Sequence, residues 1–166
     1  IDRDNTSGLF DDSTPPERRM VSLFTYFARG TQPGDGGDQR QALAYSKDGG
    51  LSWIKHAVVL PNTGNQYDVD FRDPKVIFMP QYGEWLMAVA GGRARIFTSP
   101  DLIHWTHNND LSYADGTPMY SECPDLFPLP VDGDADNIKW VYSGCGRYYV
   151  VGQLVKEDGK YRFIGE

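Results

Sequence analysis

Two cysteines among 166 residues are too few to build a disulfide-stapled scaffold. No apolar run approaches the roughly 20 residues that cross a bilayer as a helix, and no stretch repeats its apolar residues at the helical period. Positive charge is short as well. Sixteen Lys and Arg against twenty-three Asp and Glu give a net charge of −7, which repels phosphate backbones and anionic membrane surfaces. These deficits leave nucleic acid and membranes out of the expected partners. Ile1-Asp2-Arg3-Asp4 resembles neither a signal peptide nor a native start, so the chain is expected to begin within a longer protein, and its compartment is not read from this end.

What is present is globular in composition, 40% hydrophobic and 13% aromatic. Short apolar or alternating runs lie between turn residues, which predicts an all-β fold. Strands are expected at Ser7–Phe10, Met20–Ala28, Gln41–Ser46 and Ser52–His56, with a glycine-rich loop from Gly30 to Asp38. The turn Ser46-Lys47-Asp48-Gly49-Gly50-Leu51-Ser52-Trp53 reads as an Asp-box, in which the Asp side chain caps amides, glycine takes a positive φ and the tryptophan locks the outer strand. Ser99-Pro100-Asp101-Leu102-Ile103-His104-Trp105 is a looser copy, 52 residues on from Trp53 to Trp105. A repeat near fifty residues with four short strands is the mark of a β-propeller blade. About three blades are expected, over 5–57, 72–108 and 121–165, fewer than a closed ring uses.

Chemistry gathers at two strand starts. In Phe71-Arg72-Asp73-Pro74-Lys75-Val76-Ile77-Phe78 the proline cannot donate to a sheet ladder, so it is expected at the first strand position with Arg72 and Asp73 just outside. Forty-nine residues after Asp73 comes Glu122, in Ser121-Glu122-Cys123-Pro124-Asp125-Leu126-Phe127. Because first strands line a propeller's channel, Asp73 and Glu122 are expected to face one pocket.

These residues resemble glycoside hydrolase family 32, the invertase, inulinase and levanase group. Phe71-Arg72-Asp73-Pro74 is similar to that family's Arg-Asp-Pro motif and Glu122-Cys123-Pro124 to its Glu-Cys-Pro motif; Asn5-Thr6-Ser7-Gly8-Leu9-Phe10 and Ala44-Tyr45-Ser46-Lys47-Asp48-Gly49-Gly50 are similar to further stretches. The resemblance implies a five-bladed propeller, usually followed by a β-sandwich, that cleaves β-fructofuranosides with retention. It implies Glu122 as general acid and base, and Asp73 as the carboxylate that binds fructose hydroxyls and stabilises the oxocarbenium-like transition state. Arg72 would hold a sugar hydroxyl or keep a neighbouring carboxylate ionised, and Cys123 would line the wall. The substrate implied is a fructose-containing oligo- or polysaccharide, with no cofactor and no metal. The family's nucleophilic aspartate lies in an Asn-Asp-Pro-Asn-Gly motif that is absent here. The blade carrying it and any β-sandwich are therefore expected outside this chain, and the chain alone is expected to be inactive. A fructosyltransferase of the same family, or a non-catalytic propeller that binds carbohydrate or protein, would show the same residues.

Other features carry blander readings. Asp132-Gly133-Asp134-Ala135-Asp136 lacks the Gly and Glu of a calcium loop and reads as a solvated hairpin. His104 and His107, three apart on a strand, are expected on opposite faces with no shared metal. Gly91-Gly92-Arg93 reads as a hairpin turn rather than a phosphate loop. Asn5-Thr6-Ser7 is a lone glycosylation sequon. Most of Trp53, Trp85, Trp105 and Trp140 are expected to pack between blades, with Trp85 or Trp140 as the candidates for a pocket wall. Cys123 and Cys145, set opposite by a hairpin near Gly133-Asp134, would be a strained disulfide or two buried thiols.

Overall fold

A computed structural model describes residues 1–28 and 38–166. Most of the glycine-rich loop expected between Gly30 and Asp38 lies outside the described residues. Eleven strands form three antiparallel sheets among the described residues. The first contains β1 (Met20–Ala28), β2 (Asp38–Ser46) and β3 (Ile54–Leu60), in that order. The second contains β4 (Arg72–Met79), β5 (Glu84–Ala90), β6 (Ala94–Ser99) and β7 (Thr106–Asp110), and the third β8 (Pro124–Val131), β9 (Asp134–Gly144), β10 (Tyr148–Glu157) and β11 (Lys160–Gly165), each a four-stranded meander. The all-β, bladed architecture follows the sequence pattern.

The second sheet is buried on both faces. Along β5, Trp85 packs towards the first sheet with Leu43 and Leu102, and Met87 and Val89 pack with Leu60, Phe71 and Phe97. Leu86 and Ala88 turn the other way, to Leu126, Tyr142, Leu154, Tyr161 and Phe163 of the third sheet. This alternation of period two explains why Trp85-Leu86-Met87-Ala88-Val89 is apolar throughout: each residue meets one neighbouring blade or the other. The four indoles divide accordingly. Trp85 is 7% exposed and donates from Nε1 to Thr6 Oγ1 at 2.9 Å; Trp140 packs on the core between the second and third sheets. Trp85 does line a cavity, one between the first two sheets that Arg72, Asp73 and Glu122 do not reach.

The strand expected at Ser7–Phe10 does not form. Asp2, 1% exposed, draws the backbone amides of Thr6 (2.8 Å) and Ser7 (3.0 Å) and both their hydroxyls onto its carboxylate. Those amides are spent on a turn, with Asn5 at φ 53° and Gly8 at φ 67°. Asn5 is engaged too: its amide group donates to Phe10 O at 2.8 Å and accepts from Phe10 N at 3.1 Å. The sequon asparagine is thus a structural clasp in this fold.

Both Asp-boxes form as their residues dictate. Asp48 accepts from the Ser46 hydroxyl (2.6 Å), Ser52 N (3.0 Å) and the Ser52 hydroxyl (2.6 Å), while Trp53 Nε1 donates to Gly50 O at 3.0 Å. In the second copy Asp101 accepts from Ile103 N (2.9 Å) and His104 N (2.8 Å), and Trp105 Nε1 donates to Leu102 O at 2.8 Å. Leu102 takes the left-handed backbone position (φ 66°) that Gly50 fills in the first box, and its side chain is buried beside Trp85. His104 lies in this turn rather than on a strand and pairs with Asp101; His107, on β7, pairs with Asp110. The Asp132-Gly133 hairpin turns with both φ values positive, as expected of a solvated two-residue turn.

Candidate active site

The inner strands β4 and β8 lie side by side, and their first residues correspond at a spacing of fifty. Arg72 matches Glu122, Asp73 matches Cys123, Pro74 matches Pro124 and Lys75 matches Asp125. Asp73 (φ 59°) and Cys123 (φ 46°) both adopt the left-handed backbone immediately before proline, where bulk usually enforces an extended form. Strain of this kind, about 1–3 kcal/mol per residue, persists where the surroundings over-determine it and clusters at functional sites. In β8 Pro124 opens the strand as expected. In β4 the expectation is corrected: the strand starts at Arg72, and Asp73-Pro74 forms a bulge, because Arg72 pairs with Ala90 while Lys75 pairs with Ala88. The bulge absorbs the missing proline donor and re-aims the Asp73 side chain.

The structure brings Arg72, Asp73, Glu122 and Cys123 together. Arg72 grips the Glu122 carboxylate with Nε at 3.2 Å and Nη2 at 3.0 and 3.2 Å. Its Nη1 donates to Asp70 and, at 3.4 Å, to Gln39 Oε1. Asp70 and then Glu122 raise the guanidinium pKa above its already high ordinary value, so the cation is permanent. One side-chain oxygen or sulfur from each of Asp73, Glu122 and Cys123 lies within 4.8 Å of the others. These three could in principle ligate a cation, but the Arg72 guanidinium already occupies the Glu122 carboxylate, and the sulfur is protonated. Partial desolvation first, then hydrogen bonding to Asp73 and Cys145, pushes the Cys123 thiol up to about 11. Cys123 and Cys145 are both unbonded and exposed, which corrects both the disulfide and the buried-thiol expectation.

Several positioning residues are not among the sequence-expected site. Gln41, fully buried on β2, donates to Phe71 O at 2.9 Å and accepts from the Thr25 hydroxyl at 3.2 Å; Thr25 in turn accepts from Asp73 N at 3.1 Å. The first sheet thus holds the Phe71-Arg72-Asp73 corner from both ends. Two residues beyond Asp73, Lys75 Nζ meets Asp125 Oδ1 at 2.7 Å, a second cation–carboxylate pair between the same two strands. On the far side of Glu122, Cys145 N donates to its backbone carbonyl at 2.9 Å. A cavity of about 330 Å³ between the first two sheets is lined by Val21, Leu23, Trp53, Trp85 and Leu102, and includes none of Arg72, Asp73 or Glu122.

A fixed cation thus holds one carboxylate, and a second carboxylate stands beside it on a strained bulge. The glycosyl hydrolases family 32 N-terminal domain matches residues 4–165. The chain belongs to this family. The levanase of Bacillus subtilis is 37% identical to this family 32 chain over 168 residues, covering 93% of it and 23% of the levanase. The extracellular exo-inulinase of Meyerozyma guilliermondii is 37% identical over 185 residues, 99% of this chain and 33% of the inulinase. Among solved structures, a fructofuranosidase of Schwanniomyces occidentalis complexed with fructosylnystose superposes with a TM-score of 0.70 at 29% identity, over 98% of this chain and 33% of that one. The exo-inulinase of Aspergillus awamori gives 0.72 at 25% identity, over 96% and 35%. The chain therefore spans about a quarter to a third of the length of these relatives.

Proposed function

We propose that this family 32 chain carries the acid/base half of a retaining β-fructofuranosidase acting on sucrose or fructans. Glu122 protonates the leaving oxygen and then activates water, Asp73 binds fructose hydroxyls and stabilises the oxocarbenium-like transition state, and Arg72 orients Glu122. The observation that carries the reading is the convergence of Asp73 and Glu122 from two different blades to within 4.8 Å. Relatives named levanase and exo-inulinase, and a neighbour complexed with a fructosyl oligosaccharide, point to the same substrate class.

Retention needs a second carboxylate about 5 Å from the acid. By the family's pattern it comes from an Asn-Asp-Pro-Asn-Gly motif, which these 166 residues lack. The chain alone is then expected to bind fructose through Arg72, Asp73 and Glu122 without releasing fructose from sucrose. The spacing of Asp73 from Glu122 favours one other reading, with Asp73 itself as the nucleophile. Incubating the purified chain with sucrose separates them: no fructose supports the first, while release that disappears in Asp73→Asn supports the second. In a polypeptide that does turn over, Glu122→Ala abolishes hydrolysis while Arg72 and Asp73 still hold the sugar; unchanged turnover removes Glu122 from its role.

A further inference from the structure

Outside the acidic cluster, one exposed group of side chains is tied to Glu122 and has no part in the roles above. We propose that Tyr120 and Tyr148 form a stacking platform for the sugar ring on the leaving-group side of the bond, an inference that rests on the reading of Glu122 as the general acid.

Tyr120 stands two residues before Glu122, and Tyr148 is the first residue of β10. Their ring centroids are 4.9 Å apart at 45°, yet both residues remain 43% and 50% exposed. Two aromatic rings in mutual contact and open to water offer a ready apolar face to a ligand that has one of its own. The pair is also built to hold still. Gly144 lies beneath it, and a Cβ there would fall 2.5 Å from Tyr120 Cδ1, so a side chain at this position would drive the ring away. Buried Tyr142 donates its hydroxyl to Tyr120 O at 2.8 Å. The Cys145 thiol lies beside the Tyr120 hydroxyl and raises its pKa, while Cys145 N fixes the Glu122 carbonyl. Arg147 sits 5.8 Å from the Tyr148 ring and offers its planar fork of donors beside it.

Position assigns the ligand. Arg72 and Asp73 belong to the second sheet, Tyr148 to the third and Tyr120 to the loop that leads into it, with Glu122 at the seam. A fructose ring held by Arg72 and Asp73 presents its glycosidic oxygen to Glu122, and whatever is attached beyond that oxygen extends over the loops of the third sheet. A tyrosine offers an apolar face and a polar tip, which matches a saccharide ring with C–H groups on its faces and hydroxyls at its rim. The platform therefore selects leaving groups that are themselves sugar rings.

The test compares two probes that differ only in the leaving group, sucrose and methyl β-fructofuranoside, titrated into the chain and followed by NMR. The unaltered chain is expected to bind sucrose more tightly. Tyr148→Ala and Tyr148→Leu should each weaken sucrose about five- to tenfold, the scale of a lost aromatic contact, and leave methyl β-fructofuranoside within about twofold; Tyr148→Phe should keep the preference. Gly144→Ala, by displacing Tyr120, should reproduce the selective loss. If both sugars bind and the Tyr148 variants weaken neither, or weaken both alike, the platform is wrong while the reading of the site stands. If neither sugar binds the unaltered chain, that reading falls and the platform with it.

Discussion

Arg72 and Glu122 occupy the same place in two successive blades, and the guanidinium of the first clasps the carboxylate of the second at 3.0–3.2 Å through two of its nitrogens. Only a planar fork makes that grip. Replacing Arg72 by Lys keeps the charge but loses the second contact. Both groups are about a third exposed, so solvent screens the pair and the effect on folding is small. The effect on function is larger: Arg72→Lys is expected to weaken fructose binding about tenfold with a change of less than about 1 kcal/mol in unfolding free energy, measured by titration and urea denaturation side by side.

Gln41 reaches the site from the other direction. Its side chain is fully buried and satisfies Phe71 O and the Thr25 hydroxyl. Gln41→Ala leaves both without that partner, at a cost of about 1–3 kcal/mol for the unsatisfied carbonyl, and loosens the Asp73 bulge. The expected result is a lower urea midpoint together with weaker fructose binding; a stability loss with unchanged binding would show that the corner holds without it.

Asp101 gives a pH prediction. Burial opposes its ionisation, but amides of His104 and Ile103, the His104 ring and the Ser99 hydroxyl outweigh it and hold the carboxyl at about 2. A carboxylate depressed in the folded state contributes stability that is fully present above its unfolded value near 4 and is lost as pH falls towards 2. Asp101→Asn is therefore less stable than the parent at pH 6, and the gap in melting temperature narrows between pH 4 and pH 2. Parallel melting curves at every pH would refute the assignment.

Cys123 is exposed, yet it is expected to react slowly. With its thiol pushed up to about 11 beside Asp73, the thiolate fraction at pH 8 is about a hundredfold below that of an ordinary cysteine. Iodoacetamide should label it slowly, faster as pH approaches 11, and faster at pH 8 in Asp73→Asn, where the neighbouring negative charge is gone. Peptide mapping after timed labelling reads all three.

The strand pattern and the Asp-boxes were legible because they are local: apolar alternation and turn chemistry act within ten residues. Ser7–Phe10 misleads because its fate depends on a carboxylate five residues away, on Asp2, which no alternation pattern reveals. The site was half legible. Asp73 and Glu122 stand out as acids beside prolines, but aligning the motifs on those acids gives a spacing of 49, whereas the blades repeat at 50 and set Arg72 against Glu122. Aligned on Pro74 and Pro124, the sequence would also have shown Lys75 against Asp125. Gln41 left only a faint signal, a polar residue at the head of an apolar run, because what it bonds to lies in the next blade.

The two inter-blade pairs, Arg72 with Glu122 and Lys75 with Asp125, have a consequence for how such a ring can diversify. Copying either blade faithfully onto its neighbour would set cation against cation or acid against acid at both places. Descendants of a duplicated sheet must therefore change sign in partnership at these sites, and an engineer who swaps one inner strand for another inherits the repulsion unless the opposing strand is recoded with it.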